Sequence, residues 1–420
     1  MTSAAILSSS LLPEPPLAQD ASSKWRVPML DPLRITAPLE EQLSEAFTRV
    51  LRSGRYILGP EVAHFERDVS EFLEVEHCIG VSSGTDALLS TLMALGIGPG
   101  DEVVTSPLTF IATADVILRV GAVPVFVDVC PSCLGLDPTL VESAIGRKTK
   151  AILAVDLFGQ LGHIEQLQTV AHNSGIALLE DACQAFGARQ KGKAAGTFGR
   201  VGCFSFFPSK TLGGFGDAGL VATNDSDLAK EIRKLRTHGT TTKCNYNALG
   251  GNFRIDALQA ALLRVLLPHI GEWLLSRRRQ AQTYSQALAN IPHIRVPAVC
   301  AYADPAWSVY TVRVPRSRDA LRAYLAKAGV ETAIHYSSTL AQQPVFAGVS
   351  RVHGELTVAT AASREVLSLP LFPGLRDADQ GHVISSIVQF FCTFVAGDSG
   401  VQNPEPCARR NSLESAIIDS

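Results

Sequence analysis

Apolar residues alternate along this chain between short β-branched runs and longer stretches of helical spacing. The runs at His77–Val81, Glu102–Thr105, Val123–Val127, Lys150–Val155 and Ile176–Leu179 predict strands. Between them, Gly84–Leu95, Ile111–Val120 and His163–Ser174 predict helices, and Pro38 opens a further helix with Leu39, Leu43, Phe47 and Leu51 on one stripe. Continuous apolar strands separated by helices predict an α/β fold, with a mostly parallel sheet covered on both faces. From Arg254 the pattern turns helical through Trp273 to Leu288, interrupted by Pro268, as expected of an element joining a large domain to a small one. The remainder, from about Ile294 to Phe394, reads as α+β, with a strand at Ser308–Val314 and helices at Asp319–Ala328 and Thr357–Val366. The expected division is a flexible tail over 1–24, a large domain over 25–265, a linker helix and small domain over 266–396, and a second tail over 397–420.

Composition narrows the function classes. The chain has 420 residues, 46% hydrophobic and 18% charged, enough apolar material for a sizeable core. Its net charge of −3 excludes a generally basic nucleic-acid binder, and no aromatic-basic patch suggests one. The run Arg277-Arg278-Arg279 reads as a solvated helix face. No stretch reaches the roughly 18 uninterrupted apolar residues of a membrane span. The start lacks the basic region of a signal peptide, so a reducing, cytoplasmic setting is expected. Nine cysteines, an odd number spread thinly, are no disulfide framework. Cys130-Pro131-Ser132-Cys133 has paired spacing, but with no second pair and no neighbouring histidine it reads as a plain loop, so no metal is expected.

Four segments carry candidate chemistry. Ser82-Ser83-Gly84-Thr85 follows a strand and opens a helix, an arrangement suited to an anion and equally to a plain cap. Glu180-Asp181-Ala182-Cys183-Gln184 leaves a buried strand, where a carboxylate needs a cation or strong donors, or serves as a helix cap. In Phe204-Ser205-Phe206-Phe207-Pro208-Ser209-Lys210 a lysine lies between an aromatic-rich strand and a glycine run; such surroundings suit an amine that forms a Schiff base. Gly250-Gly251-Asn252 precedes a helix that Asn252 could cap. One ligand accounts for all four. Pyridoxal 5′-phosphate needs an amine, an anion cradle, an acidic partner for its ring nitrogen and an aromatic wall. Lys210, the Gly84/Thr85 turn with Ser205, Asp181 and Phe110 offer one of each.

The run from about Pro28 to Phe391 resembles the DegT/DnrJ/EryC1/StrS family of sugar aminotransferases, a branch of the type I pyridoxal-phosphate fold. Nine stretches match in the family's order: SSGTDALLSTLMALGIGPGDEV, TFIAT, GAVPVFVDV, LFGQ, EDACQAFGA, GTFG, FSFFPSKTLGGFGDAG, GGNFRIDALQAALLRV and AIHY. The resemblance implies a large domain with a mixed, mostly parallel sheet and a smaller C-terminal α+β domain. It implies Lys210 as the Schiff-base lysine and proton shuttle, Asp181 against the protonated ring nitrogen, and Gln184 at the ring's 3′ oxygen. Gly84, Thr85 and Ser205 would hold the phosphate, and Phe110 would stack on the ring. Asn252 would reach the phosphate bound by the other subunit of a homodimer. Tyr56, Tyr246, His335 and Tyr336 are candidate substrate contacts.

The implied reaction is a ping-pong transfer from L-glutamate to a ketosugar carried on a nucleotide diphosphate. Related alternatives are a cyclitol ketone aminotransferase and an aminohydroxybenzoate synthase. A sugar dehydratase would carry histidine where Lys210 stands, and a non-catalytic regulator would have no need of Lys210, Asp181 and Gln184 together. The chain departs from the family's usual pattern at Thr211 (often Asn), at Phe207 (often Tyr) and in the loop from Thr237 to Leu249.

Overall fold

The computed structural model describes residues 24–242, 245–300 and 302–398; most of both expected tails lies outside the described residues. Seven strands buried along nearly their whole length, and an eighth that is not apolar, assemble into one sheet. In chain order they are β1 (His77–Val81), β2 (Glu102–Thr105), β3 (Val123–Val127), β4 (Thr149–Val155), β5 (Ala177–Asp181), β6 (Val201–Ser205), β7 (Gly219–Thr223) and β8 (Arg351–His353). Their spatial order is β1-β7-β6-β5-β4-β2-β3-β8. Only β7 runs against its neighbours, and every other pairing is parallel. Crossovers between parallel strands force helices onto both faces of such a sheet.

The two faces have separate cores because side chains alternate along each strand. Val104, Ile152 and Leu178 pack with Val50 and Phe65 from the helices Glu40–Ser53 and Pro60–Leu73. Val103, Leu153 and Leu179 pack with Leu88, Val116 and Ile232 from the helices Gly84–Ala94, Ala112–Arg119 and Ser226–Leu235. The first helix presents a different stripe from the expected one. Leu43, Ala46 and Val50 are buried, whereas Phe47 and Leu51 are 46% and 53% exposed. At 100° per residue a four-residue spacing drifts by about 40° each step, so Phe47 and Leu51 rotate out of the core.

The C-terminal portion holds another core around the pair Tyr310–Arg313 and Val366–Leu369, which are antiparallel. It is reached through the helix Ala257–Leu266, a 3₁₀ turn at Leu267–His269, and the helix Ile270–Leu288. The turn falls at Pro268, which has no N–H to continue the helix. Val27 belongs to this core, as its bridge to Val330 requires, although it lies in the stretch assigned by sequence to the large domain. In the opposite sense, β8 leaves the C-terminal portion to pair with β3. Asp128, just past β3, accepts from the N–H groups of Val358 and Ala359 at 2.8 Å each and ties the sheet to the helix Thr357–Glu365. That helix stops at Glu365 because Val366 starts a strand. The last helix, Asp377–Asp398, continues slightly past the expected start of the C-terminal tail.

Arg277 corrects the reading of the arginine run as a solvated face. It is 1% exposed, and its guanidinium donates to the carbonyls of Trp307, Ser308 and Leu371 at 3.1, 3.4 and 3.0 Å. Burial brings its pKa down to about 10, still charged at neutral pH. Arg277→Ala leaves these carbonyls without that donor. Urea unfolding should show a loss of about 3 kcal/mol, whereas Arg279→Ala should change stability by less than about 0.5 kcal/mol.

Candidate active site

In a sheet of this kind, ligands sit beyond the carboxyl ends of the parallel strands. Three such ends converge here: Val81 of β1 leads into Ser82-Ser83-Gly84, β5 ends on Asp181, and β6 ends on Ser205. A cavity of about 540 Å³ opens above them, lined by Gly84, Thr85, Phe110, Asp181, Gln184, Ser205, Lys210, His335 and Tyr336 among others. Nine residues singled out by sequence therefore face one space.

Asp181 is 6% exposed, and its oxygens are held from behind. Thr113 Oγ1 donates to Oδ2 at 2.7 Å, and the Cys183 N–H reaches Oδ1 at 3.3 Å. Thr109 Oγ1 lies 2.9 Å from Thr113 Oγ1 and fixes that hydroxyl in turn. Its neighbour Glu180 points through the other face of β5 and accepts from the N–H groups of Gly196 and Gly199 at 2.8 and 2.6 Å. Asp156 is fully buried with no hydrogen-bond partner for either carboxyl oxygen. Burial, then repulsion from Glu180 and Asp181, pushes its pKa well above the usual carboxylate range, so it stays neutral. Of these three acids, Asp181 lines the cavity, with Asp217 a further carboxylate on its wall.

The helix opening at Gly84 presents an end of the kind that suits an anion. Ser83 caps it by accepting from the Asp86 N–H at 3.0 Å, and Gly84, Thr85 and Ser205 line the cavity beside this helix end. Close approach demands glycine here: a Cβ at Gly84 would lie 2.7 Å from Cys183 Sγ and 2.8 Å from Ser205 Cβ. Behind it, a Cβ at Gly219 would meet the Ser83 carbonyl at 2.3 Å.

Lys210 enters from the loop after β6. Its backbone N–H is anchored to the Phe207 carbonyl at 2.8 Å, and its ammonium forms no ion pair among the described residues. Gln184 is oriented at both ends: Oε1 accepts from the Phe158 N–H at 3.0 Å, and Nε2 donates to Tyr336 Oη at 3.2 Å. Burial, then the Asp181 charge, raises the Tyr336 phenol, which stays neutral. Phe110 is 55% exposed at the cavity wall, its ring centre 6.4 Å from that of Tyr336. His335 Nδ1 is paired with Ser368 Oγ at 2.9 Å; burial, and then Lys210, lowers its pKa, so its ring is neutral at neutral pH.

Three expected residues do not line this cavity. Asn252 is exposed and bridges Thr237 through the backbone; Asp256, not Asn252, stands at the N-cap of the following helix. Tyr56 is exposed and bonds the Leu51 carbonyl, and Tyr246 is exposed on a two-residue strand. Thr113 and Asp156 were missed by sequence reasoning. Thr113 closes the matching stretch TFIAT and Asp156 precedes LFGQ, so adjacency to matched motifs was the available signal.

A flat ligand with a phosphate, a basic ring nitrogen and an aldehyde fits this donor set, since the glycine cradle, the buried carboxylate and the lysine each meet one of those groups. Fold and cavity together define a pyridoxal-phosphate-dependent aminotransferase. The chain belongs to the DegT/DnrJ/EryC1/StrS aminotransferase family, whose model matches residues 38–388. It is 41% identical over 362 residues to dTDP-3-amino-3,4,6-trideoxy-alpha-D-glucose transaminase of Streptomyces venezuelae, covering 86% of this chain and 95% of that one. It is 41% identical over 346 residues to UDP-2-acetamido-2-deoxy-3-oxo-D-glucuronate aminotransferase of Pseudomonas aeruginosa, covering 81% and 94%. Among solved structures it resembles DesV of S. venezuelae in complex with a ketimine intermediate, with a TM-score of 0.85 at 40% identity over 87% of this chain and 98% of that one.

Gly84→Ala should weaken pyridoxal-phosphate affinity at least about tenfold, because the cradle must shift to admit the methyl group. Fluorescence titration of the apoprotein checks this, and unchanged affinity would contradict the cradle assignment.

Proposed function

We propose that this chain transfers the amino group of L-glutamate to a ketosugar carried on a nucleotide diphosphate, in the cytoplasm and as a homodimer. The observation that carries this reading is the meeting of Lys210, Asp181 and the Gly84 helix end on one cavity. When bound, pyridoxal phosphate supplies an aldehyde that takes up an amino group and a ring that accepts an electron pair.

The chain's own residues do the rest. Asp181, positioned by Thr113 and the Cys183 N–H, holds a proton on the ring nitrogen. Gly84, Thr85 and Ser205 bind the phosphate, Phe110 covers the ring face, and Gln184 meets the ring oxygen. Lys210 Nζ takes the proton from the donor's α-carbon and returns it at the cofactor's C4′, as base and then as acid. The same groups serve the reverse sequence with the ketosugar, so the keto acid of the donor leaves first.

The names of the two relatives, a dTDP-amino-sugar transaminase and a UDP-oxo-sugar aminotransferase, support the substrate class. A homodimer is supported by the exposure of Phe47 and Leu51 on one helix, with Tyr56 and Ile57 just beyond it, an apolar surface that a second copy would cover. In such a dimer Asn252 would reach the phosphate of the partner's cavity, and Tyr56 and Tyr246 would complete the substrate site with His335 and Tyr336. We assign the large unit to about 25–265 and the small one to 266–396, with Val27 and β8 crossing between them.

Lys210→Ala should abolish turnover and the visible absorbance of the loaded enzyme; retention of both would overturn the assignment. Asp181→Asn should keep the cofactor but lose at least about a hundredfold in rate, read by release of 2-oxoglutarate. The same assay, run with ketosugar nucleotides beside cyclitol ketones, separates the sugar reading from the cyclitol one. No transfer to any acceptor from any amino donor would favour a regulator, a function suggested by the name of a 40% identical Geobacillus stearothermophilus relative, "Pleiotropic regulatory protein".

A further inference from the structure

Outside this cavity, none of whose lining residues is involved, the fold gathers sulfur and nitrogen ligands from three separate segments. Sequence alone gives Cys130-Pro131-Ser132-Cys133 no histidine, but folding brings His163, at the start of the helix Ile164–Ser174, against the pair. The Sγ atoms of Cys130 and Cys133 and a ring nitrogen of His163 lie within 4.8 Å of one another. Cys300, from the segment before the short strand Ala303–Asp304, hydrogen-bonds Cys133 through its side chain. We propose that Cys130, Cys133, His163 and Cys300 form a structural zinc site.

The chemistry and the backbone both favour that ion. Three thiols and an imidazole are a tetrahedral zinc set, and zinc–sulfur bonds of about 2.3 Å place neighbouring ligand atoms about 3.8 Å apart, inside the 4.8 Å that encloses the ligand atoms of Cys130, Cys133 and His163; Cys300, against Cys133, closes in as the fourth. The loop is wound to stabilise metal-bound thiolates. Backbone N–H groups of Ser132 and Cys133 point at Cys130 Sγ, and the N–H of Gly135 points at Cys133 Sγ. Leu134 N–H closes the turn onto the Cys130 carbonyl at 2.9 Å. Gln166, one turn along its helix, hydrogen-bonds His163 as an outer partner that orients the imidazole. Gly135 and Gly162 pack against each other beside Cys133, where a Cβ on Gly135 would lie 3.6 Å from Cys133 Sγ and 3.3 Å from Gly162 Cα.

Four protein ligands leave no open position, so the site is structural and not catalytic. Binding Zn²⁺ releases the protons of the coordinating thiols and involves no oxidation or reduction. Its effect is to clamp the loop after β3, the helix at His163 and the segment leading into the C-terminal strands.

The test uses the full chain loaded with pyridoxal phosphate, expressed in zinc-supplemented medium and purified under reducing conditions without chelator. Elemental analysis should find one zinc per chain, and Co²⁺ substitution should give the visible absorption of tetrahedral thiolate-bound cobalt. Cys130→Ser with His163→Ala should cut bound zinc to below about one tenth while the cofactor absorbance persists, separating this result from the fate of the aminotransferase reading. Cys300→Ser alone should remove the cobalt spectrum or weaken its thiolate component. Wild-type protein that holds no zinc after reconstitution, that holds iron instead, or that contains a Cys133–Cys300 disulfide with no metal would overturn the proposal.

Discussion

A carboxylate buried at the end of a parallel strand is the constraint around which the large sheet is organised. Asp181 is tolerated there because a threonine hydroxyl and a backbone N–H hold it from behind, while its open side meets the cavity. Desolvation makes any charged group costly unless donors or an opposite charge answer it. Asp156 answers by remaining neutral, and Glu180 by turning to the backbone of the loop at Gly196–Gly199. The three acids lie close together, yet their environments separate their roles. Asp181 is the one of the three that lines the cavity.

The same economy of space shapes the helix end at Gly84. Gly84 sits where β1, β6 and β7 crowd together, and no side chain fits between Cys183 and Ser205. Gln184, Tyr336 and the Phe158 backbone then form a chain of hydrogen bonds from the sheet to the C-terminal portion. The cavity is therefore built by both parts of the molecule, although most of its chemistry stems from the first.

Much of this was legible in the sequence, for identifiable reasons. Strands β1, β2 and β3 are apolar runs bounded by turn residues, and they fall where the pattern puts them. β8 was not legible, because Arg351-Val352-His353 has no apolar run and gains its identity only by pairing with β3. The arginine at 277 was read as solvated, since a charge run carries no sign of the three carbonyls that bury it. Nor can spacing along the chain show that His163 meets Cys130 and Cys133, which is a consequence of the β3 and β4 crossovers. Motifs placed Lys210, Asp181 and Gly84 on one cavity, but the hydroxyl behind the carboxylate required the fold.

The most direct measurement is the ¹⁵N chemical shift of ring-labelled pyridoxal phosphate bound to the wild-type chain, followed through the neutral pH range. With Asp181 against the ring, the nitrogen should remain protonated throughout. A neutral, unprotonated ring nitrogen at pH 7 would contradict the account.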